Sequence, residues 1–186
     1  MIGLERGTVR LTPYSKEWER LFAEEKSSLQ AAIGMYVLDI QHVGSTSIPG
    51  MVAKPIIDIA IAIENFENAS VCIKPIERSG YEYKGENGIP RRHFFAKGNP
   101  RTHHIHMNEL GSREWIDQIR FRNYLILHPE AAKEYADLKT KLARRYPTDR
   151  QAYLDNKAPF IEHVLRLARS EEKGSGSLKK LNSRSE

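Results

Sequence analysis

Apolar positions recur along this chain with two periods, and the changes between them divide it into elements. Ser15 precedes a stretch in which Trp18, Leu21, Phe22, Leu29 and Ile33 return at helical spacing, with acids near its start and Gly34 just past its end. Residues 15–34 therefore predict an amphipathic helix. Alternation then takes over: residues 37–43 (VLDIQHV) predict a strand with Leu38, Ile40 and His42 on one face, ending in a loop bracketed by Gly44 and Gly50. Residues 56–63 (IIDIAIAI) are apolar except for Asp58, the pattern of a central strand buried on both faces. A helix is expected over 67–79, stopping at Gly80, followed by a strand, an exposed Gly/Pro loop, and strands near 92–97 and 103–109. From Ser112 onward the period is helical. Trp115, Ile116, Ile119 and Leu127 mark a helix ended by His128-Pro129. A second runs from Pro129 to about Arg145 and is closed by Pro147. A third starts near Asp149, with Pro159 expected to kink or split it. The plan is one helix, a small mixed sheet, then a helical C-terminal half, which is an α+β fold.

The 186 residues suit one domain. Residues 170–186 are mostly Gly, Ser and charge, so they predict a disordered tail behind a single domain at 1–169. The composition is 40% hydrophobic and 28% charged, with a mean hydropathy of −0.56. No apolar run approaches the ~20 residues of a membrane helix, and the N-terminal stretch has no apolar core of a secretory signal. The single cysteine, Cys72, excludes an intrachain disulfide framework and a cysteine-based zinc cluster, which points to the cytoplasm. The 29 Lys+Arg against 24 Asp+Glu leave a net charge of +5, of which the body before residue 171 keeps +4. That excess suits an anionic partner. RNA is compatible with it but not favoured, because the charge is better explained by basic side chains converging on one phosphate-sized site.

The densest chemistry lies between the first two strands. Gly44, Ser45, Thr46 and Ser47 offer hydroxyls and closely approachable backbone N–H groups, the ingredients of an anion-binding nest. Asp58 interrupts an otherwise apolar strand, and a buried carboxylate needs a partner, a metal or a route to solvent. It either sits at the strand end paired with Lys54 or holds a divalent cation beside the loop.

The spacing of Gly44-Ser45, twelve residues, then Asp58-Ile59 resembles the signature of the nucleotidyltransferase superfamily related to DNA polymerase β. More of the chain resembles the GrpB family of that superfamily. The blocks PYSKEWERLF, QHVGSTSIPGMVAKPIIDI, GYEYKGENGIPRRHFFAKG, RTHHIH, FRNYLILHPEAAKEYADLK and YPTDRQAY follow one another within residues 9–168. The resemblance implies a nucleotidyltransferase-like fold, a nucleotide or other phosphate-bearing small molecule as ligand, and a metal at Asp58. The chain departs from the superfamily pattern where a second acid is usual: that position is Ala60. Asn123 likewise stands where related sequences tend to have Asp. Lys139, Tyr153 and Lys157 fall within the shared blocks without a role that the residues themselves assign.

One carboxylate is too few for a two-metal clamp, so other ligands are needed. On a strand, His104 and His106 project to the same face and could join Asp58 around one ion, here Mg, Mn or Zn, with imidazole nitrogen favouring Zn or Mn. Without a metal, the two histidines are structural, or one of them is a general base; His106 is the catalytic candidate beside Asp58. Lys54, Arg91 and Arg92 are the expected phosphate contacts, with Arg120 and Arg122 behind them. Two function classes follow: a metal-dependent nucleotidyl- or phosphoryl-transferase, and a non-catalytic nucleotide- or phosphate-ligand module with a degenerate active site.

Overall fold

The structure is a computed structural model that describes residues 2–182, with side chains through residue 173. Its elements are α1 (Glu17–Ile33), β1 (Asp39–Val43), β2 (Ile57–Ile63), α2 (Ile73–Arg78), β3 (Tyr81–Tyr83), β4 (His93–Lys97), β5 (His103–Glu109), α3 (Arg113–Leu127), α4 (Pro129–Arg145) and α5 (Arg150–Asn182). The strands form one sheet in the order β1-β2-β5-β4-β3. β2 pairs antiparallel with β1 and parallel with β5, and the β3–β4 and β4–β5 pairs are antiparallel. The fold is thus the mixed sheet with flanking helices and a helical C-terminal half that the periodicity predicts.

β2 is the most apolar strand and takes the centre because it has buried neighbours on both edges and both faces. Ile57, Ile59, Ile61 and Ile63 point to one face, where they meet Ile40, Ile105 and Phe95 under Trp18, Leu29 and Ile33 of α1. Each of these isoleucines is fully buried, a burial worth ~1.5–3 kcal/mol per side chain. The opposite face carries Asp58, Ala60 and Ala62. Trp115 of α3 covers Val43, Ala60 and Ala62, with Ile119 packed alongside. α3 is started by Ser112, whose Oγ accepts from the Trp115 N–H at 3.3 Å.

The helical half locks the loop after β1 in place. Ile48 and Met51 of that loop are buried against Tyr124 and Leu125 of α3, Tyr135 of α4, and Val164 and Ala168 of α5. The N-terminal segment straps across the same end of the sheet. Leu4 exchanges backbone bonds with Arg101, Thr12 with Ala53, and the Val9 N–H reaches the Pro147 carbonyl.

Two expected elements differ in detail. Residues 67–79 resolve into a 3-10 segment (Asn68–Cys72) followed by the short α2. Pro159 lies inside α5 without splitting it, since an apolar stripe through Tyr153, Val164, Leu165 and Ala168 stays buried on both sides of it. The tail expected from Ser170 begins within α5, where Glu172 pairs with Arg120 and Glu171 with His128. Residues 183–186 of that expected tail lie outside the described residues. Among the described residues, no helix is long and apolar enough to cross a membrane.

Candidate functional site

The register of the central strands decides which side chains meet. Val43 ends β1 opposite Asp58, and Asp58 stands beside His104 on β5. The chain therefore leaves β1 into the loop at the point where β2 begins, bringing Gly44 against the carboxylate. A Cβ built on Gly44 would lie 2.6 Å from Asp58 Oδ2, and its φ of +70° with ψ of −174° is a conformation open essentially to glycine alone. Gly44 is fixed by both requirements.

Asp58, His104 and His106 converge as the strand geometry predicts. Asp58 Oδ1 is 3.1 Å from His104 Nδ1 and 3.4 Å from His106 Nε2, and the three ligand atoms lie within 4.8 Å of one another. Burial raises the Asp58 carboxyl, but hydrogen bonds and charge from the two imidazoles outweigh it and hold the group below the usual carboxylate range. Burial pushes His104 down, against the opposing pull of Asp58. Ligand atoms sharing one ion at bonds of ~2.0–2.2 Å must stand about 3 Å or slightly more apart, which the two Asp58–imidazole pairs meet; the two imidazole nitrogens lie within 4.8 Å and would draw together around a cation that accepts mixed nitrogen and oxygen ligands. Ala60, where a second acid would stand, is wholly buried beneath Trp115 and has no room for a solvated carboxylate.

Arg92 is nearly buried against the triad. Its Nη1 approaches His106 Nδ1 at 3.4 Å, its other donors reach the carbonyls of Glu86 and Asn87, and it lies 4.9 Å from the Phe94 ring centre. Arginine only donates, so this contact favours the His106 tautomer with its proton on Nε2, toward Asp58. A metal taking Nε2 must displace that proton and release the long Arg92 contact.

The remaining candidates separate by role. Of the loop hydroxyls, Thr46 Oγ1 turns inward to the Ile56 carbonyl and His42, and Ser47 Oγ donates to the Gly44 carbonyl at 2.6 Å, so both shape the loop. Ser45 Oγ alone points to a cation, accepting from Lys139 Nζ at 2.9 Å. Arg91 is exposed and held by Glu67 and Glu109 near the far end of β5, away from the triad. Arg120 is paired with Asp117 and Glu172, while Arg122 donates to the His42 carbonyl and Gln41 and so ties α3 to β1.

What the residues alone did not reveal is a group of lysines behind the loop. Lys139 of α4 is fully buried, donates to Ser45 and to the Val52 carbonyl, and sits 4.6 Å from the Tyr135 ring centre. Lys54 and Lys157 both lie over the Tyr153 ring, at 5.7 and 5.3 Å. Burial, then repulsion from Lys157 and Lys54, pushes Lys139 down to about 6; burial and Lys54 push Lys157 down to about 8. Among the described residues, Asp58 is the one acid acting on Lys54 and Lys157, and none acts on Lys139. Lys139 is buried and Lys54 and Lys157 half-buried; lysines withdrawn from water are ordinarily paired, so three together with one shared acid suit an anion. The signal was in the helical period: Lys139 falls four residues after Tyr135 and three before Leu142, and Lys157 four after Tyr153, positions on the core-facing stripes.

The chain matches a known family. The family model for the GrpB protein matches residues 8–167. UPF0157 protein YqkA of Bacillus subtilis is 42% identical over 89% of this chain, which spans about half (49%) of that protein's length. The crystal structure of GrpB from Enterococcus faecalis, 35% identical, superposes with a TM-score of 0.82 over 88% of this chain and 99% of that one. The Cid1 poly(U) polymerase with MgGTP bound is 12% identical and superposes with a TM-score of 0.50 over 72% of this chain and 44% of its own. That likeness is one of fold alone.

Proposed function

The chain belongs to the GrpB family, and from that premise we propose that it is a metal-assisted nucleotidyltransferase acting on a nucleoside triphosphate and a hydroxyl acceptor. The observation that carries the reading is the juxtaposition at Gly44: the glycine abuts Asp58, Asp58 meets two imidazoles, and the next residue, Ser45, meets a buried lysine. Carboxylate and imidazoles would hold one divalent cation, while Lys139, Lys157 and Lys54 would neutralise the triphosphate. The donor set favours Mn²⁺ or Zn²⁺ over Mg²⁺. In the transfer, the acceptor oxygen bonds to the α-phosphorus. The bond from that phosphorus to the pyrophosphate oxygen breaks with its electron pair, pyrophosphate departs, and the hydroxyl proton is released to solvent. When bound, the metal supplies charge neutralisation at the phosphate oxygens. The protein's own part is to hold the loop rigid through Thr46 and Ser47, orient the imidazoles through Asp58, and fix the phosphates with the lysines.

One observation favours a second reading. The second acid is replaced by Ala60 under Trp115, which is no obstacle to binding but is a deficit for catalysis. A non-catalytic nucleotide-binding module would keep the lysines and lack turnover.

Thermal-shift measurements with ATP or UTP in the presence of Mn²⁺ or Zn²⁺ test both. Stabilisation by the nucleotide–metal pair, lost in Asp58→Asn and Lys139→Met, is the expected outcome. Pyrophosphate release by the wild type with a panel of hydroxyl acceptors supports the transferase, and binding without release supports the module. No stabilisation by any pair overturns both.

A further inference from the structure

Two cationic groups flank the Asp58–His104–His106 triad, and the lysines behind the loop are only one of them. The other lines a cavity of about 300 Å³ whose wall includes the N-terminal strap (Leu4, Arg6, Thr8), Lys54, Lys84, Phe94, Arg101, His104 and Arg150. A larger hollow, about 510 Å³, lies between Gly80–Glu82 and Gly98–Arg101 but has no triad residue in its wall. The smaller one opens on the chemistry.

The sheet order separates the two groups. Ser45 follows β1, on one side of Asp58. Phe94 is on β4, and Lys84 follows β3, on the other side of His104. The cavity thus extends from the triad toward β4 and β3 and shares Lys54 and Ile56 with the segment between β1 and β2. Lys54 and Arg150 stand between them, each repelling the other and Lys157.

The charge in this cavity is in surplus. Its lining holds five Lys and Arg (Arg6, Lys54, Lys84, Arg101, Arg150) against one acid, Glu5. Glu82 at its edge is shared by Lys84 and Arg6. Arg101 is pressed by Arg6 and Arg150 and lowered chiefly by burial. Two buried polar atoms on lining residues lack a partner: Arg101 Nε and His104 Nε2. Arg101 Nε is a donor, whereas His104 Nε2 is an acceptor because the ring turns its Nδ1–H to the Asp58 carboxylate. An unmet buried polar atom costs ~1–3 kcal/mol, so a fold that keeps both beside a cationic cavity suits a ligand that brings an anionic oxygen to the one and a hydroxyl proton to the other.

We propose that this cavity is the acceptor subsite and that the acceptor is a small molecule bearing a phosphate or similarly charged group in addition to its reacting hydroxyl. This rests on the transferase reading and deepens it. The anionic group lies between Arg101, Lys84 and Arg150, its hydroxyl end faces His104, and the nucleotide occupies the loop and lysines on the far side of the triad. The volume stands at the lower end of small-molecule pockets, and the strap closes one wall, which suits a compact metabolite rather than a nucleic-acid strand.

Lys54 is common to both sites, but Arg101 and Lys84 belong to the cavity alone and Lys139 to the loop alone, which makes the two distinguishable. The probe is inorganic phosphate, titrated by calorimetry and by amide chemical-shift mapping into protein saturated with a non-hydrolysable triphosphate and Mn²⁺, so that the loop site is already filled. Phosphate is expected to bind, shifting amides of residues 4–8, 84 and 101. Arg101→Met and Lys84→Gln should each weaken it ~10-fold or more, the loss of one charged hydrogen-bond partner, with nucleotide affinity changed less than ~2-fold. Lys84→Gln covers the case in which Arg101→Met does not fold. Lys139→Met should give the reverse pattern. Phosphate that fails to bind the loaded protein, that competes with the nucleotide for one site, or that binds both variants like the wild type overturns the proposal. So does displacement of phosphate from this cavity by an oligouridylate, which would make the acceptor a strand. If phosphate binds here in the predicted pattern while no nucleotide binds at the loop, the anion site stands and the transferase reading falls.

Discussion

Gly44→Ala probes the contact on which the whole site turns. The backbone there has φ +70° and ψ −174°, and holding a residue with a Cβ in that region costs ~1–3 kcal/mol. The new Cβ would also stand 2.6 Å from Asp58 Oδ2, with Asp58 Cβ and Cγ at 3.1 and 3.2 Å, so the carboxylate must rotate away from His104 or the loop must lift. Contacting residues couple by ~0.5–3 kcal/mol. The total expected loss is therefore about 2–5 kcal/mol, at ~2–4 °C in Tm per kcal/mol for a chain of this length. Reversible urea denaturation of Gly44→Ala, Asp58→Ala and the double variant separates the two parts. In the Asp58→Ala background the carboxylate is gone and only the Cβ at 3.1 Å remains, so Gly44→Ala should cost little beyond its backbone share of ~1–3 kcal/mol. The same cost in both backgrounds, or a Gly44→Ala protein as stable as the wild type, refutes the contact.

Lys139→Met should stabilise the ligand-free protein near pH 7 by on the order of 1 kcal/mol, because an apolar chain of similar volume replaces an amine that burial forces to shed its proton. Its denaturation curves should also flatten with pH: a lysine held near 6 when folded makes the unfolded state bind more protons up to the ordinary value of ~10.4, so wild-type stability climbs over that range. A variant that is less stable at pH 7 with an unchanged slope contradicts the burial argument. Phosphate bound at the loop should raise both Lys139, near 6, and Lys157, near 8. Nucleotide binding then takes up protons, and the lysines' contribution to affinity is full below about pH 6 and declines as pH rises through 6 and 8; calorimetry at pH 8 in two buffers of different ionisation enthalpy reads the uptake directly, and identical heats would refute it. Arg91→Ala should leave nucleotide affinity within ~2-fold, since its guanidinium is spent on Glu67 and Glu109; a larger loss in the same titration would return Arg91 to the site.

The strands and long helices were legible because each buries one face with a clear period: β5 and α4 appear with the limits the alternation and the Pro129 and Pro147 signals give. The triad was legible too, since His104 and His106 share a face by strand geometry and Asp58 was the one charge in an apolar strand. Three things were not. The parallel register that sets Asp58 beside His104 arises from pairing residues 46 apart, which no local pattern encodes. The lysines on the stripes of α4 and α5 become a cluster only when both helices dock on the loop after β1. Arg91 and Arg92 are adjacent in sequence but diverge because Arg91 takes φ +59°, sending one side chain to Glu67 and its neighbour to His106.

β2 also has a life before the fold is complete. Seven residues with six apolar side chains, and an edge that stays open until β5 is made some forty residues later, describe a segment prone to stick to copies of itself during synthesis. Asp58 is the single charge in that run. The carboxylate of the site is therefore also the gatekeeper that keeps the nascent strand soluble.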